Sequence, residues 1–486
     1  MFAKKVYGVG IKGTGMCALA ELLYAQGVRV SGSDTPEHFY TDDILRNLGI
    51  PFYESFEAAH VPLDADLVVH SAAYKSESNP ELAQAERLGL RILKYTDALG
   101  EYSSFFYSAG ISGVNGKTTT TALAGTVLRE LNIPAQVLAG SAVANFAPEN
   151  DGEAAAGGGA FDGTARSCVN LGNKYFIAET CEYRGHFLAF HPRIVVLTNI
   201  EHDHQDFFPT YQSILDMFVK YICRLPECGK LIYCADDKGA LQALALADSY
   251  IKKMNIKSIP YGFNADGAYK ITSYRHTSGA NNWTLACFGA QEFTLHIPGR
   301  HNVLNAAAAV ALAAELPEPP PNVHLIQSAL KKFRGSKRRC EVIGEADGVL
   351  FIDDYGHHPA AVKTTLEGLK EFYPEKRIIV SFMAHTYTRT AALLSEFASC
   401  FAAADILYLH AIYPSARETY SGEVSGVTLF EETKKHHPNV HYIDKHEDAA
   451  EEIAAILRKG CVFVTMGAGD NWKLGRRLYN IKRGII

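Results

Sequence analysis

Strand-like and helix-like segments alternate along nearly the whole chain, and that alternation restricts it to sheets that are largely parallel and covered by helices. Lys5–Val9 reads as a strand, and Gly15–Gln26 as a helix with Met16, Leu19, Leu22 and Leu23 inward and Gly27 as its stop. Val28–Val30 begins the next strand and leads to Ser33 and Asp34; Asp66–His70 gives another. A second alternation opens near Phe105, with strands at Tyr175–Glu179 and Arg193–Ile200, a β-rich stretch over Tyr269–Ile297 and an Ala-rich helix after Asn302. Within it, Glu149–Gly172 is rich in Gly and Ala and is expected to be an irregular excursion. The cluster Pro317–Pro321 reads as a linker, with the helix Val323–Phe333 still part of the second unit. From about Ser336 a third alternation places strands at Val349–Asp353, Arg377–Phe382, Ile406–Ala411 and Cys461–Met466. A chain of 486 residues is too long for one core. Three α/β units are expected, over 1–105, 106–335 and 336–486, and no short-period repeat suggests a solenoid.

The formal net charge of -6 argues against broad binding to nucleic acid or an anionic membrane. It leaves room for an anion held locally by backbone amides and a few cations. The N-terminus lacks the apolar core of a signal peptide, and the most apolar helical stretch, Val303–Leu316, is too short to span a bilayer. Ten cysteines without CxxC pairs point to reduced thiols and a cytoplasmic setting.

The strongest chemical signal is the loop Ser112-Gly113-Val114-Asn115-Gly116-Lys117-Thr118, placed between a strand and a helix. Glycines let successive N–H groups converge on phosphate oxygens, and the helix opening at Thr118 turns its positive end to the same anion. Lys117 adds a fixed charge, and the Thr118 hydroxyl is suited to Mg²⁺. The longer P-loop pattern fails, because its first glycine would fall at Ile111. Glu179 ends a strand, where open α/β sheets place ligand-facing groups, and Glu182 follows one turn later. His204 follows another strand. Mg²⁺ prefers oxygen ligands, so Thr118, Glu179 and triphosphate oxygens suffice; the pair His202 and His204 leaves a zinc hydrolase as the other reading.

Near the N-terminus, Gly8-Val9-Gly10-Ile11-Lys12-Gly13 fits GxGxxG, with Thr14-Gly15-Met16 opening the helix and Asp34 about twenty residues on. The physics places a pyrophosphate there; both a nicotinamide dinucleotide and a UDP-sugar carry one. In Gly299-Arg300-His301-Asn302-Val303-Leu304-Asn305, the residues Asn302 and Asn305 share a helix face and could read a base edge, or Asn302 could simply cap the helix. Three further strings stand out: the basic run Arg334–Arg339, Asp353-Asp354-Tyr355-Gly356-His357-His358-Pro359, and His385-Thr386-Tyr387-Thr388-Arg389.

The short loop Gly113-x-x-Gly116-Lys117-Thr118, followed by Thr119 and Thr120, resembles the nucleotide loop of the Mur ligase and folylpolyglutamate synthase superfamily. Ala178–Leu188 and Asn199–Asp206 resemble the second-domain motifs of Mur ligases. The Asp353–Pro359 string is closer to the alanine-adding Mur ligases than to those adding D-glutamate or later residues. His385–Thr390, Ser415–Glu418 and Gly467–Asp470 match the same branch, so the resemblance spans the chain. Asn115 departs from it, standing where His is frequent, as do Thr386, Met383-Ala384 and Asn471-Trp472.

The resemblance implies a Rossmann-like UDP-binding domain, a central P-loop-type ATPase domain and a C-terminal Rossmann-like domain. It places UDP-N-acetylmuramate at Gly10, Gly13, Thr14, Gly15, Met16, Ser33, Asp34 and Ser71. It places ATP at Gly113, Asn115, Gly116, Lys117, Thr118 and Thr119, with adenine near His301, Asn302 and Asn305 and with Arg339 and Asp354 also on the nucleotide. Glu179 and His204 would hold Mg²⁺ beside Thr118; Lys220 lies near where some siblings carry a carbamylated lysine. Tyr355, His357, His385 and Arg389 would serve the acceptor, Arg389 through its carboxylate-matching fork.

The implied reaction is ATP-dependent ligation of L-alanine to the lactyl carboxylate of UDP-N-acetylmuramate in peptidoglycan precursor synthesis, by a monomer or homodimer. A ligase joining a tripeptide to the same sugar and an NAD(P)-dependent oxidoreductase are the alternatives, with a non-enzymatic nucleotide-binding regulator behind them.

Overall fold

The computed structural model describes residues 3–147, 165–204, 207–277, 279–414, 422 and 424–485. The strings at 415–418 and 205–206, and most of the stretch expected to be irregular, therefore lie outside the described residues.

Three sheets follow one another along the chain. The first is five-stranded and wholly parallel, in the order Phe52–Tyr53, Arg29–Ser33, Lys5–Val9, Leu67–His70, Ile92–Lys94. Lys5–Val9 is central because Val6, Tyr7, Gly8 and Val9 are all buried, as a strand covered on both faces requires. The second has ten strands. Its parallel middle places Tyr107–Ser112 between Ile194–Leu197 and Tyr175–Glu179, so the phosphate-loop candidate and Glu179 leave adjacent strand ends. Antiparallel hairpins from Tyr269–Thr277, Ala280–Leu285 and Glu292–Leu295 extend one edge. The third sheet has six strands, parallel except where Glu341–Ala346 runs antiparallel to Val349–Asp354.

The three-unit α/β expectation holds, with the central sheet mixed rather than uniform. One correction concerns the Gly/Ala-rich excursion. Its end, Arg166–Asn170, is a strand paired antiparallel with Ala135–Val143, with Ser167, Cys168 and Val169 buried. The short run between glycine-rich segments carries too little periodicity to reveal this pairing.

The helix Thr14–Ala25 packs on those same two strands, and a single apolar cluster runs from Leu19 and Leu22 through Tyr102 to Phe176 and Phe190. The first two units thus share a core. The third has clusters of its own, around Ile352 and Val464 on one face and Phe351 and Phe463 on the other. Among the described residues no helix is long and apolar enough to cross a membrane.

Candidate active site

The loop after Tyr107–Ser112 is shaped by glycine and clamped from outside. Gly113 has φ 139°, and a Cβ there would stand 2.0 Å from Thr198 Oγ1. Thr198 donates its hydroxyl to the Asn115 carbonyl at 2.6 Å. Asn199 grips the same residue twice, accepting from the Asn115 amide at 2.9 Å and donating to its carbonyl at 2.9 Å. Asn115 Nδ2 donates to Glu201 at 3.2 Å. Gly116, at φ 82°, caps the helix Lys117–Glu130 and leaves its first amides facing the loop.

Lys117 folds over this loop. Its ammonium donates to the carbonyls of Gly113 and Val114 and to Glu182 Oε2 at 2.9 Å. Glu182 is 1% exposed. Burial works against both charges, but each outweighs it for the other: Lys117 is held above the ordinary lysine value, chiefly by Glu182, and Glu182 below the ordinary carboxyl value, chiefly by Lys117 and then His204. His204 Nε2 stands 3.4 Å from Glu182 Oε1, on a backbone with φ 54°, unusual for a non-glycine residue. Glu179 accepts from the Gly140 amide at 2.9 Å. Thr118 and Thr119 are buried on the first turn of the helix. The Thr118 hydroxyl and the Glu179 carboxylate therefore offer hard oxygen donors beside the loop. His202 Nε2 donates to the Phe208 carbonyl at 2.9 Å while His204 Nε2 faces Glu182, and among the described residues the two histidines belong to no cluster of three metal-ligating side chains. Lys220 is exposed on the last turn of Tyr211–Ile222.

Asn302 and Asn305 belong to a buried chain of hydrogen bonds. Asn302 donates to the Pro298 carbonyl at 2.7 Å, Asn305 donates to Asn302 Oδ1 at 3.0 Å, and Thr120 donates to Asn305 Oδ1 at 3.2 Å. This chain ties the helix Arg300–Glu315 to the loop's own helix. Beside it, His301 is kept neutral by burial and its Nδ1 has no partner.

The third unit reaches the site through Asp203. Arg389 Nη2 lies 3.4 Å from Asp203 Oδ1, and Arg389 Nη1 donates to the His385 carbonyl at 3.4 Å. His357 donates through Nδ1 to the Tyr355 carbonyl at 3.0 Å, which leaves the Nε2 lone pair free to accept. Burial first, and then Arg389, push the His357 value well down, so the ring is neutral. Burial disfavours the Asp203 charge, yet His204 and Arg389 hold its carboxyl below the ordinary aspartate value. A depressed carboxyl stabilises the folded state above its unfolded value, and that stabilisation is lost as pH falls through the folded value. Asp203→Asn should cost about 1–3 kcal/mol near neutrality, and the difference from the parent should shrink as pH drops below about 4. Urea unfolding at stepped pH measures this; a deficit independent of pH would exclude the charge as its cause.

Asp354 is oriented by backbone, accepting from the Gly356 amide at 2.7 Å and from the Cys340 amide at 2.8 Å, with one further lone pair left on each oxygen. Arg338 bonds Asp353 at 3.0 Å and the Gly467 carbonyl at 2.5 Å, and the guanidinium groups of Arg338 and Arg339 lie 5.0 and 5.2 Å from the Tyr355 ring centroid. Arg339, Tyr355, Thr14, Tyr40 and Gly140 line one cleft of about 380 Å³, to which all three units contribute.

In the first unit Gly10 has φ 81°, and a Cβ there would meet the Tyr74 ring at 2.6 Å. Asp34 accepts from the Lys12 amide at 2.7 Å and the Thr35 amide at 2.8 Å, which holds the glycine loop against the second strand. Ser33 donates to Glu81, and the Ser71 amide donates to the Val9 carbonyl at 3.0 Å. Gly13 caps the helix Thr14–Ala25, so Thr14, Gly15 and Met16 sit on its first turn. Lys12 itself is buried against Asp42 at 2.8 Å and is neutralised there.

Sequence reasoning did not find the roles of Glu182, Asp203, Arg338 or the Thr198-Asn199 clamp. Their local strings carry no sign of the partners, which come from distant segments.

Comparison with known proteins agrees along the chain. The Mur ligase family catalytic domain matches residues 5–107, the Mur ligase middle domain 111–313, and the Mur ligase glutamate ligase domain 338–469. A UDP-N-acetylmuramate–L-alanine ligase of Treponema pallidum is 48% identical over 98% of this chain and 96% of its own length. One from Borreliella burgdorferi is 38% identical over 96% and 97%. Among solved structures, the UDP-N-acetylmuramate-alanine ligase of Thermotoga maritima has the same fold at TM-score 0.76 and 24% identity, each chain covered to 99%. A murein peptide ligase from Psychrobacter arcticus gives TM-score 0.65 at 23% identity, also with 99% of each chain covered. With all three domains matched in order and two relatives aligned over nearly their full length, this chain belongs to the Mur ligase family.

Proposed function

We propose that the protein joins L-alanine to the lactyl carboxylate of UDP-N-acetylmuramate, converting ATP to ADP and phosphate, in the cytoplasm and as a monomer or homodimer. The observation that carries this is the Asp203 bridge. It sets Arg389 and His357 of the last unit against the segment whose His204 meets Glu182, the partner of Lys117. The names of relatives aligned along almost the whole chain support the same substrates. In this reading 1–105 holds the UDP-sugar, 106–335 the ATP, and 336–486 closes over both.

A carboxylate is a poor acyl donor because oxide would have to leave. Its oxygen attacks the γ-phosphorus of ATP, the bond from that phosphorus to the bridging oxygen breaks, and ADP departs. The alanine amine then attacks the acyl phosphate carbon, loses a proton, and expels inorganic phosphate. Lys117 and the first amides of its helix supply charge where the transferring phosphoryl oxygens lie. The amine must be neutral to attack; the free Nε2 of His357 is our candidate to take its proton, with Arg389 steering the alanine carboxylate. Thr118 and Glu179 fit a magnesium ion, with His204 adjoining, and bound magnesium would add positive charge against the phosphate oxygens. Gly10, Gly13, Thr14, Gly15, Met16, Ser33, Asp34 and Ser71 would receive the UDP-sugar, and His301, Asn302, Asn305, Arg339 and Asp354 the nucleotide.

The test is ADP release with each substrate omitted in turn. Release should require UDP-N-acetylmuramate and L-alanine together. Activity with a tripeptide in place of L-alanine, and none with L-alanine, would overturn the assignment.

A further inference from the structure

His446 opens the short helical turn His446–Ala449 and is 4% exposed, yet its Nε2 has no hydrogen-bond partner. That nitrogen faces two carboxylates from different segments: Glu447 Oε1 at 3.5 Å and Asp470 Oδ1 at 3.8 Å. Both distances exceed a normal N–H···O bond. The three donor atoms lie within 4.8 Å of one another, and no other such group of His, Cys, Asp and Glu occurs among the described residues. Ligands about 2.0–2.2 Å from a tetrahedral cation stand roughly 3.4 Å apart, so the two spacings from His446 need only a few tenths of an ångström of closure, and the exposed Glu447 side chain is free to swing toward Asp470.

The neighbouring histidine shows the contrast. His410, whose ring centroid is 6.2 Å from that of His446, donates through Nδ1 to the Ile443 carbonyl at 2.8 Å and accepts at Nε2 from Ser381 at 2.8 Å. Both of its nitrogens are used. Around His446, Lys473 donates to Asp470 Oδ2 at 3.0 Å, leaving Oδ1 toward the histidine, and Arg477 donates to the backbone carbonyl of Glu447 at 3.4 Å, which pins the turn and leaves the Glu447 carboxylate to face His446.

We propose that His446, Glu447 and Asp470 form a site for a divalent d-block cation of the zinc class, separate from the phosphate loop. One imidazole with two carboxylates suits such an ion better than magnesium, which takes oxygen ligands. Asp470 lines the three-unit cleft and follows Gly467 and Ala468, whose carbonyls accept from Arg338 at 2.5 and 3.5 Å. A cation joining Asp470 to His446 fastens that cleft wall to the turn behind it.

The full chain, freed of metal, is titrated with zinc chloride alone by calorimetry, and its cobalt(II) form is examined for visible d–d absorption of low-coordinate geometry. One equivalent should bind. His446→Gln, Asp470→Asn and Glu447→Gln should each weaken binding at least about 100-fold, the upper end of what loss of an outer-shell partner costs. Glu447 is exposed, so its variant tests the ligand without endangering the fold. Glu179→Gln should leave the titration unchanged. No zinc uptake by the parent chain, unaltered affinity in Glu447→Gln and His446→Gln, or loss of the site in Glu179→Gln would each overturn the proposal.

Discussion

Lys117→Ala is expected to slow ADP formation about 10³-fold or more at saturating substrates, because it removes a full charge where removal of one neutral oxyanion donor already costs 10²–10³. The lysine is not a loose surface cation. Two loop carbonyls and Glu182 hold its ammonium, and its stem crosses the glycine loop from the first residue of the helix. That arrangement sets the charge before substrate arrives, so little reorganisation accompanies the reaction. Lys117→Arg separates charge from geometry: it keeps a cation for Glu182, but a planar fork cannot reproduce a point charge in this loop. Both variants should lose turnover, and only the alanine variant should leave Glu182 without its main partner. Coupled measurement of ADP release decides it; wild-type turnover in Lys117→Ala would remove the loop from the chemistry.

Glu182→Ala should have the largest effect on stability, roughly 3–5 kcal/mol, because it leaves a buried ammonium uncompensated. Glu182 is almost wholly buried and faces Lys117 and His204 together. Its folded value lies below 4.5, so its contribution is complete above that pH and fades as pH falls through the folded value. The variant's deficit should therefore be greatest near neutrality and shrink in acid. Lys117 acts at the other end: held above 10.5, it contributes fully below that pH and is lost only in strong base. Denaturant unfolding at several pH values, followed by a probe in the central unit, reads the effect. A deficit under about 1 kcal/mol at pH 7 would mean water, not protein, balances the lysine charge.

The way the units are joined bears on how the site works. The first two share an apolar core, which resists relative movement. The third keeps separate cores and meets the centre through polar links such as Arg389 with Asp203 and the Lys337 amide with the Ala142 carbonyl at 2.8 Å. Small polar contacts of this kind permit opening and closing, which suits a reaction whose three reactants are assigned to three units.

The chain's own order of residues determined the strands Lys5–Val9, Tyr175–Glu179, Arg377–Phe382 and Cys461–Met466 to the residue, because each is an apolar run ended by a turn. It also determined that Gly113 and Gly116 stand between a strand and a helix, since those signals are local; the helix starts at Lys117, one residue earlier than Thr118. Arg166–Asn170 was hidden, because its pairing with Ala135–Val143 is set by a partner strand rather than by its own pattern. The same holds in the site. Lys117 meets Glu182 across 65 residues, Thr120 meets Asn305 across 185, and Arg389 meets Asp203 across 186. Turn chemistry and strand periodicity act over a few residues, whereas a charge takes whatever counter-charge the packed sheets bring within reach; only the tertiary structure decides which one.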